Sequence, residues 1–514
     1  MKLKFLVKMK LFNWNSLTKN KQLEKRFIMA ICLLAMMRVF IFGSAFPFFS
    51  NVDEPYHYDV VVKYSKGYFL KSNKIEHFDP AAAKTIALYG TLEYLHDIEK
   101  EGPFPPPLWK VSNDTEAVKY LDKNVNYFLG LQEIEINSPP VYYFLTGLWY
   151  KAGGLLGLDE GILLYWVRFL DVIVYGLLVL LAYLFCKKLF PGQITLIFGV
   201  PILLIAFPQD LFYSINSDVF SPILCLLSVY FLFRIYSSDK SILYYALTGI
   251  AISAALLTKL TNVPLLLILL IFLILITKKY YSIGKLKRHY IHLLVLLTVS
   301  VLPFVLWLGW NYYILGDFTG TADKITSLHW QNKSFWDWFD HPMFSFEGLW
   351  YFLSETLKTF WRGEFVWGLQ RIASDEADWF YVISSFVFII ISLMVLISKI
   401  KKNLLQNYLP NLINFIMILL FVGIFVVLSI KYDFVNCWYP SREYPFFTSG
   451  RLISGIMVPF LIVYVNGLEI LLTKLKIKTS PLTIICIISA LIIISEVAIS
   501  TMVFKSSFNL FHML

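Results

Sequence analysis

Long runs of apolar residues, separated by polar connections, recur along the whole chain. Crossing about 30 Å of hydrocarbon takes about 20 mostly apolar residues, and about 11 stretches approach that length. These runs lie near residues 27–49, 163–185, 194–213, 217–235, 242–258, 261–277, 291–313, 379–398, 409–430, 451–472 and 482–504. Hydrophobic residues make up 58 % of the chain, well above the usage of soluble proteins. The sequence therefore predicts an all-α polytopic membrane protein, with residues 1–514 forming one transmembrane domain.

Basic residues fall in every second connection between the apolar runs, beginning with residues 1–26. Lys and Arg are enriched in cytoplasmic connections. The pattern predicts a multi-pass protein of the plasma membrane with a basic cytoplasmic tail, an external C-terminus, and large external loops over residues 50–162 and 314–378. The same pattern accounts for the net charge of +10, so we expect no nucleic-acid binding.

A shorter apolar segment, residues 138–154, interrupts this alternation. It ends at Lys151 and the glycines after it, after about ten residues, which is too few to cross the membrane. Because it is rich in Tyr and Trp, it is predicted to be an interfacial helix or a re-entrant turn. Helical patches elsewhere in loop 50–162 predict amphipathic juxtamembrane helices, and loop 314–378 is rich in Trp.

Two adjacent carboxylates, Asp53 and Glu54, follow the first apolar run and precede Pro55 and His57. Pro55 suits the first turn of a helix, where its missing N–H is not needed. The two acids would then cap that helix, and His57 would lie on the face that they share. The functional alternative places these residues in a site at the membrane surface.

Polar residues at the predicted outer ends of later spans also have both a structural and a functional interpretation. Arg168 needs a partner or an aqueous cavity at that depth, and Asp171 is the structural candidate. Asn216 and Asp218 lie in a tight turn, where an Asx turn capping the next helix would explain them. The functional interpretation places Arg168, Asn216 and Asp218 in the same external site.

Three basic residues on the predicted external face are candidates for phosphate binding. Positive-inside statistics disfavour an external Lys259, so it is either a snorkelling side chain or the partner of an anion. Arg442 and Arg451 flank the start of the tenth span. The guanidinium is the side-chain group that best matches phosphate in geometry and permanent charge.

Taken in order, these motifs resemble the GT-C membrane glycosyltransferases, which include protein O-mannosyltransferases and lipid A aminoarabinose transferases. They also resemble bacterial multi-pass membrane proteins of unassigned function. The matching segments are Asp53-Glu54-Pro55-Tyr56-His57, the P-P-x-x-Y segment from Pro139 to Tyr143, the tryptophan motif from Phe360 to Trp367, and Gly450-Arg451-Leu452. Leu452 replaces the tyrosine of the family pattern, and Arg362 and Glu364 interrupt the tryptophan motif.

The resemblance implies a GT-C-like fold and an inverting glycosyltransferase. Such an enzyme moves a sugar from a polyprenyl-phosphate-type lipid donor to an acceptor hydroxyl on a glycan, lipid or protein outside the cytoplasm. It implies that Asp53 is the base and that Glu54 is catalytic with it, and that Lys259, Arg451 and Arg442 stabilise the departing phosphate. The substrate-orienting residues would be His57, Arg168, Asn216 and Asp218. Partial desolvation at the membrane surface is expected to raise the pKa of Asp53.

The sequence leaves two alternatives to a transferase open. A flippase or transporter of lipid-linked sugars would favour charged residues within the spans, such as Arg38 and Glu496. A non-catalytic scaffold protein of the GT-C type would keep the fold without the reaction.

We expect no cofactor. The cysteines form no C-x-x-C pair, which argues against a disulfide framework and a zinc site, and the chain contains no nucleotide-binding motif. The external acids could hold a divalent ion, but a phosphate beside Lys and Arg has less need of one.

Overall fold

The computed structural model describes residues 14, 17, 19–50, 53–68, 75–91, 97, 100, 102, 105–111, 115–238, 241–402, 404–437 and 439–509. Most of the predicted basic tail, residues 1–26, and parts of loop 50–162 lie outside these residues. Helices dominate the described chain, and the strands are two residues long.

The helices are α1 Lys21–Ala45, α2 Glu54–Ser65, α3 Pro80–Tyr89, α4 Leu108–Val111, α5 Thr115–Gly130, α6 Val141–Leu155, α7 Glu160–Arg168, α8 Leu170–Leu189, α9 Ile194–Ile205, α10 Ser221–Ser237, α11 Ile242–Leu256, α12 Pro264–Ser282, α13 Leu286–Leu315, α14 Ala322–Ser327, α15 Phe346–Arg362, α16 Asp375–Lys401, α17 Leu405–Lys431, α18 Met457–Lys474 and α19 Pro481–Phe504. The strands are β1 Gln331–Asn332, β2 Val366–Trp367, β3 Gln370–Arg371 and β4 Tyr432–Asp433.

Within the described residues, nine helices are long and apolar enough to cross a membrane, and each coincides with a predicted span. The prediction of an all-α polytopic membrane protein is confirmed. The two remaining predicted spans contain the shorter apolar helices α9 and α11. The span predicted over residues 194–213 leaves the α-helix after Ile205, since Pro208 has no N–H to continue it. A 3-10 turn, Asp210–Tyr213, follows.

Two charges that the sequence places inside spans are paired with each other. The guanidinium of Arg38 on α1 lies 2.6 Å from the carboxylate of Glu496 on α19, and both side chains are buried. The Tyr213 hydroxyl donates to the same carboxylate at 2.5 Å. Because a buried charge is tolerated when it is paired and hydrogen-bonded, this contact explains both residues.

Helix α2 is buried on ten of its twelve positions, so it does not lie on the surface with one face exposed. Helix α6, which contains most of segment 138–154, packs along α2, and Gly147 allows this close approach. A Cβ at Gly147 would lie 3.0 Å from the Cβ of Tyr64. Trp149 and Trp166 stack with ring centroids 4.1 Å apart and join α6 to α7. Helix α5, in contrast, has no buried residue among its described positions.

The connections predicted to lie outside contact one another. Strand β1, in loop 314–378, pairs antiparallel with β4, which follows α17. Lys324 on α14 forms an ion pair with Glu135, in loop 50–162. These contacts bring distant parts of the chain together at one end of the helix bundle, and the candidate site is at this end.

Candidate functional site

Asp53 occupies the position before α2, but its side chain does not behave as a helix cap. The helix begins at Glu54 with Pro55 in its first turn, as predicted. Among the described residues, the Asp53 carboxylate accepts no capping hydrogen bond from the backbone of that helix. It accepts a hydrogen bond from Nη2 of Arg451 instead. The side chain is about one quarter exposed, so an incoming molecule can reach it.

Glu54 points the other way, into the protein. Its carboxylate lies 2.8 Å from the guanidinium of Arg168, and both side chains are almost completely buried. It also accepts hydrogen bonds from the backbone N–H groups of Phe49 at 2.7 Å and Ile215 at 2.9 Å. These contacts occupy the carboxylate and join α2 to α7 and to the turn before α10.

Arg168 is likewise fully engaged, and its ion-pair partner is Glu54 rather than the predicted Asp171. Its remaining N–H groups donate to backbone carbonyls at and just after the end of α1. These carbonyls belong to Gly43, Phe46 and Pro47. A guanidinium with this many partners supports the structure and has little left to offer a substrate.

Lys259 and Asp218 meet in a second ion pair. The side chain of Asn216 accepts a hydrogen bond from the backbone N–H of Asp218 at 2.9 Å, which is the predicted Asx turn. This turn directs the buried Asp218 carboxylate towards Lys259 Nζ, 3.2 Å away. Lys259 Nζ also donates to Ser217 Oγ at 3.1 Å. Lys259 therefore has an anionic partner within the protein.

Arg451 lies on a 3-10 segment, Gly450–Ile456, that passes directly over α15. A Cβ at Gly450 would lie 2.1 Å from the backbone nitrogen of Phe360, so a side chain there cannot be accommodated. This approach fixes the backbone beside Arg451. Its Nε lies 3.4 Å from Glu364 Oε2. This contact is an ion pair without a hydrogen bond, and both Nε and Nη1 are buried with no hydrogen-bond partner within the described part of the chain.

His57 is buried beside these ion pairs. Its Nδ1 shares a hydrogen bond of 2.7 Å with the hydroxyl of Tyr143 on α6. Its Nε2 is buried without a hydrogen-bond partner among the residues that the structure describes. Burial lowers the pKa of His57 to about 4, because the charged form is poorly solvated there. The ring is therefore neutral at pH 7.

Three members of this site were missed by the sequence analysis. They are Glu135, Lys324 and Glu364. Each lies in a connection predicted between two spans, where a charged residue is ordinary. The only available signals were that Glu135 shortly precedes the P-P-x-x-Y segment and that Glu364 interrupts the tryptophan motif.

We call the combined group the charged cluster. Its members are Asp53, His57, Glu135, Asp218, Lys259, Lys324, Glu364 and Arg451. The charges of Asp53, Glu364 and Asp218 all act on Arg451, so the ion pairs form one electrostatically coupled site. Four carboxylates thus face three cations.

The charges of the cluster lower the pKa of Asp53, which was expected to be raised. Burial acts to raise the pKa of Asp53, but Arg451 and Lys324 outweigh it and hold that pKa well below its usual range. The expected rise in the pKa of Asp53 was therefore wrong, since it considered desolvation without the nearby cations. Burial also opposes ionisation of Glu135, yet Lys324 lowers its pKa to about 2.

Arg442 does not join the cluster through its ion pair. Its guanidinium lies 2.7 Å from the carboxylate of Asp433, and nearly two thirds of the side chain is exposed. An exposed pair of this kind contributes little to stability.

An apolar groove of about 530 Å³ lies between α6 and Tyr64 of α2. Its lining residues are Tyr64, Pro140, Val141, Phe144 and Leu145. The neighbouring Tyr143 is buried and contacts both His57 and Tyr64, so it links the wall of the groove to the cluster.

Within the described residues, no group of three or more His, Cys, Asp or Glu side chains is arranged to hold a metal ion. The groups suited to a ligand are cationic: Arg451 with its unpartnered Nη1, Lys259 and Lys324. Such an arrangement can bind an anion.

A family model described as Predicted membrane protein (DUF2142) matches residues 34–456, and the chain therefore belongs to that family. The comparison with curated proteins gave no match. The comparison with solved structures gave none either.

Proposed function

We propose that this member of a family of predicted membrane proteins is a glycosyltransferase of the GT-C type. It would move a sugar from a polyprenyl-phosphate-type donor to an acceptor hydroxyl at the outer surface of the membrane. One observation supports this above all others: Asp53, Lys259 and Arg451, from segments far apart in sequence, belong to one partly exposed cluster. The order of motifs that resembles the GT-C families supports it as well.

The cations of the cluster suit a phosphate leaving group. The bond to be broken joins the anomeric carbon of the sugar to a phosphate oxygen, and charge develops on that oxygen as it departs. Preorganised cations stabilise such charge best where water is largely excluded. Arg451, with a buried and unpartnered Nη1, and Lys259 are the groups for this role.

The groove beside α6 suits the lipid part of such a donor. It is lined by apolar and aromatic side chains of α6 and by Tyr64, whose ring packs against that of Tyr143. An apolar chain in the groove would bring its phosphate headgroup to α6, whose Tyr143 contacts His57 of the cluster. Burial of its methylene groups would provide binding energy, about 0.8 kcal/mol for each one.

The proposed transfer is a single displacement at the anomeric carbon of the sugar. The acceptor oxygen attacks the anomeric carbon from the face opposite the phosphate, and its proton passes to the Asp53 carboxylate. The bond from that carbon to the phosphate oxygen breaks, and the electron pair stays on the phosphate. The configuration at the carbon is thereby inverted. Asp53 needs no second carboxylate as an acid, because the phosphate is already a good leaving group.

The test uses a strain that lacks this protein. Mass spectrometry of its surface glycans identifies the missing sugar, and the wild-type gene restores it. We expect Asp53→Asn, at equal protein level in the membrane, to reduce transfer by about 10²–10⁴-fold, because it removes the base. Asp433→Asn removes the carboxylate of the exposed pair with Arg442 and serves as the matched control with normal transfer.

Full glycan transfer by Asp53→Asn would remove Asp53 as the base. The transport alternative rested on Arg38 and Glu496, which the structure pairs with each other. Purified protein in vesicles separates the two functions. Movement of a labelled lipid-linked sugar between leaflets, without covalent transfer, would contradict the proposed transferase.

A further inference from the structure

Every cation of the charged cluster is already in contact with a carboxylate. These ion pairs are Arg451 with Asp53 and Glu364, Lys259 with Asp218, and Lys324 with Glu135. His57 adds no charge at pH 7. The cluster therefore has one negative charge more than it has positive charges, and it holds no free cation for a phosphate. A phosphate that binds here has to take a cation from one of the carboxylates.

Asp53 is the carboxylate best able to give way. Asp218 and Glu135 are almost completely buried, with 1 % and 4 % of their side chains exposed. Asp53 is 24 % exposed and contacts Arg451 at Nη2, next to the unpartnered Nη1. A phosphate that approaches Nη1 therefore competes first with Asp53.

Glu364 is equally exposed but more firmly held. Its side chain accepts a hydrogen bond from Ser449 Oγ. Its backbone N–H donates to the buried carboxylate of Asp210 at 2.9 Å. Since Glu364 contacts Arg451 at Nε, on the side away from Nη1, it can hold the guanidinium while the Nη groups change partner.

We infer that Arg451 exchanges Asp53 for the phosphate of an incoming ligand, and that Glu364 keeps the guanidinium in place during the exchange. The inference rests on the proposed function, because it assumes a ligand with a phosphate. The ligand thereby releases the base that its own reaction requires. Glu364 acts as a positioning residue for Arg451.

The consequence for Asp53 follows from the groups that face it. They are Tyr56 and His57 from α2, Lys324 from α14, Glu135 from the segment before α6, and Arg451. After the exchange, His57 is neutral and Lys324 remains paired with Glu135. Asp53 then keeps the desolvation that raises its pKa and loses the contact with Arg451 that lowers it. The pKa of Asp53 therefore rises, and the carboxylate takes up a proton more readily.

The experiment measures proton uptake on binding. The probe is the methyl ester of farnesyl phosphate, a phosphodiester that remains monoanionic over the whole pH range used. Its binding to the full-length protein in detergent is followed by titration calorimetry in two phosphate-free buffers with different ionisation enthalpies. We expect the wild-type protein to take up a fraction of a proton per bound ligand, and more as the pH falls towards the ordinary range of an aspartate.

The variants identify the group that takes up the proton. Asp53→Asn should bind the diester at least as tightly, with the uptake lost, whereas Asp433→Asn should behave as the wild type. In Glu364→Gln the guanidinium is less well positioned, so we expect binding roughly tenfold weaker or more. Partial recovery of both affinity and pH dependence in Glu364→Asp would distinguish positioning from general stability.

The possible failures are distinguishable. Binding of the diester by the wild-type protein without proton uptake, or with equal uptake in Asp53→Asn, would overturn the exchange and leave the proposed transferase standing. No binding at all by folded wild-type protein would overturn the exchange and the proposed phosphate site together.

Discussion

At the scale of single residues, two neighbouring carboxylates have opposite surroundings. Asp53 is partly exposed and faces the cluster, whereas Glu54 is buried and held by Arg168 and two backbone N–H groups. A buried carboxylate that loses its cationic partner becomes an uncompensated charge, and this costs more than the ion pair itself contributes. The two acids should therefore respond very differently to mutation.

The partner of Glu54 provides the first prediction. Arg168→Met should lower the stability of the protein by about 3–5 kcal/mol, because it leaves Glu54 buried without its cation. Thermal unfolding in detergent measures the loss. Arg442→Met breaks an exposed Arg–Asp pair of similar geometry and should change stability by less than about 1 kcal/mol. Equal effects of the two substitutions would contradict the structural role of Arg168.

His57 provides a prediction on pH. Burial lowers its pKa to about 4, so between pH 6.5 and 4 the unfolded chain binds a proton that the folded protein does not. Stability should therefore fall as the pH drops through this window, by about 3 kcal/mol at most. His57→Gln should flatten the pH dependence of the unfolding temperature between these values. His329→Asn, at an exposed position, should leave it unchanged.

At the scale of elements, the packing of α6 against α2 sets the position of Tyr143 beside His57. A Cβ at Gly147 would meet the backbone of Ser65 at 3.1 Å, whereas at Gly154, on the same helix, it would meet no atom within 4 Å among the described residues. The two glycines offer a matched pair of sites.

Gly147→Ala should therefore destabilise the protein by about 1–3 kcal/mol, because the two helices have to separate. Gly154→Ala should be neutral or stabilising by up to about 1 kcal/mol, since it only removes backbone freedom from a helix. Unfolding temperatures in detergent measure both effects. A destabilising Gly154→Ala beside a neutral Gly147→Ala would show that α6 packs differently.

The helices could be predicted from the sequence because each apolar run is a local signal. The end of α9 was missed, although Pro208 marks it, since the apolar run continues past the proline. The sequence around Asp53 and Glu54 also does not show which of the two side chains points into the protein. Which of them turns inward depends on Arg168, which lies more than a hundred residues away.

At the scale of the whole molecule, the sidedness of the connections stays a prediction that can be tested with cysteine labelling. The native cysteines are first replaced, and Ser334→Cys or Thr479→Cys is introduced at an exposed position. A membrane-impermeant maleimide should label Ser334→Cys in intact cells and Thr479→Cys only after permeabilisation, because Lys and Arg favour the cytoplasmic side. Labelling of both, or the reverse order, would contradict the topology.

The candidate site could be predicted only in part for a related reason. Lys259 and Arg451 were conspicuous because they are charged residues beside apolar runs. Glu135 and Lys324 are ordinary loop charges, and they gain importance only when loops 50–162 and 314–378 come together. That convergence depends on tertiary packing, for which the sequence offers no periodic signal.

The cluster has more carboxylates than cations, and this affects which anions it attracts. A cluster with one more negative than positive charge does not attract small anions from bulk water, so inorganic phosphate gains nothing from long-range attraction to it. Under the proposed function, the hydrocarbon tail of a lipid-borne phosphate would supply the binding energy that dissolved anions lack. The excess negative charge of the cluster would then favour the lipid-borne ligand over those anions.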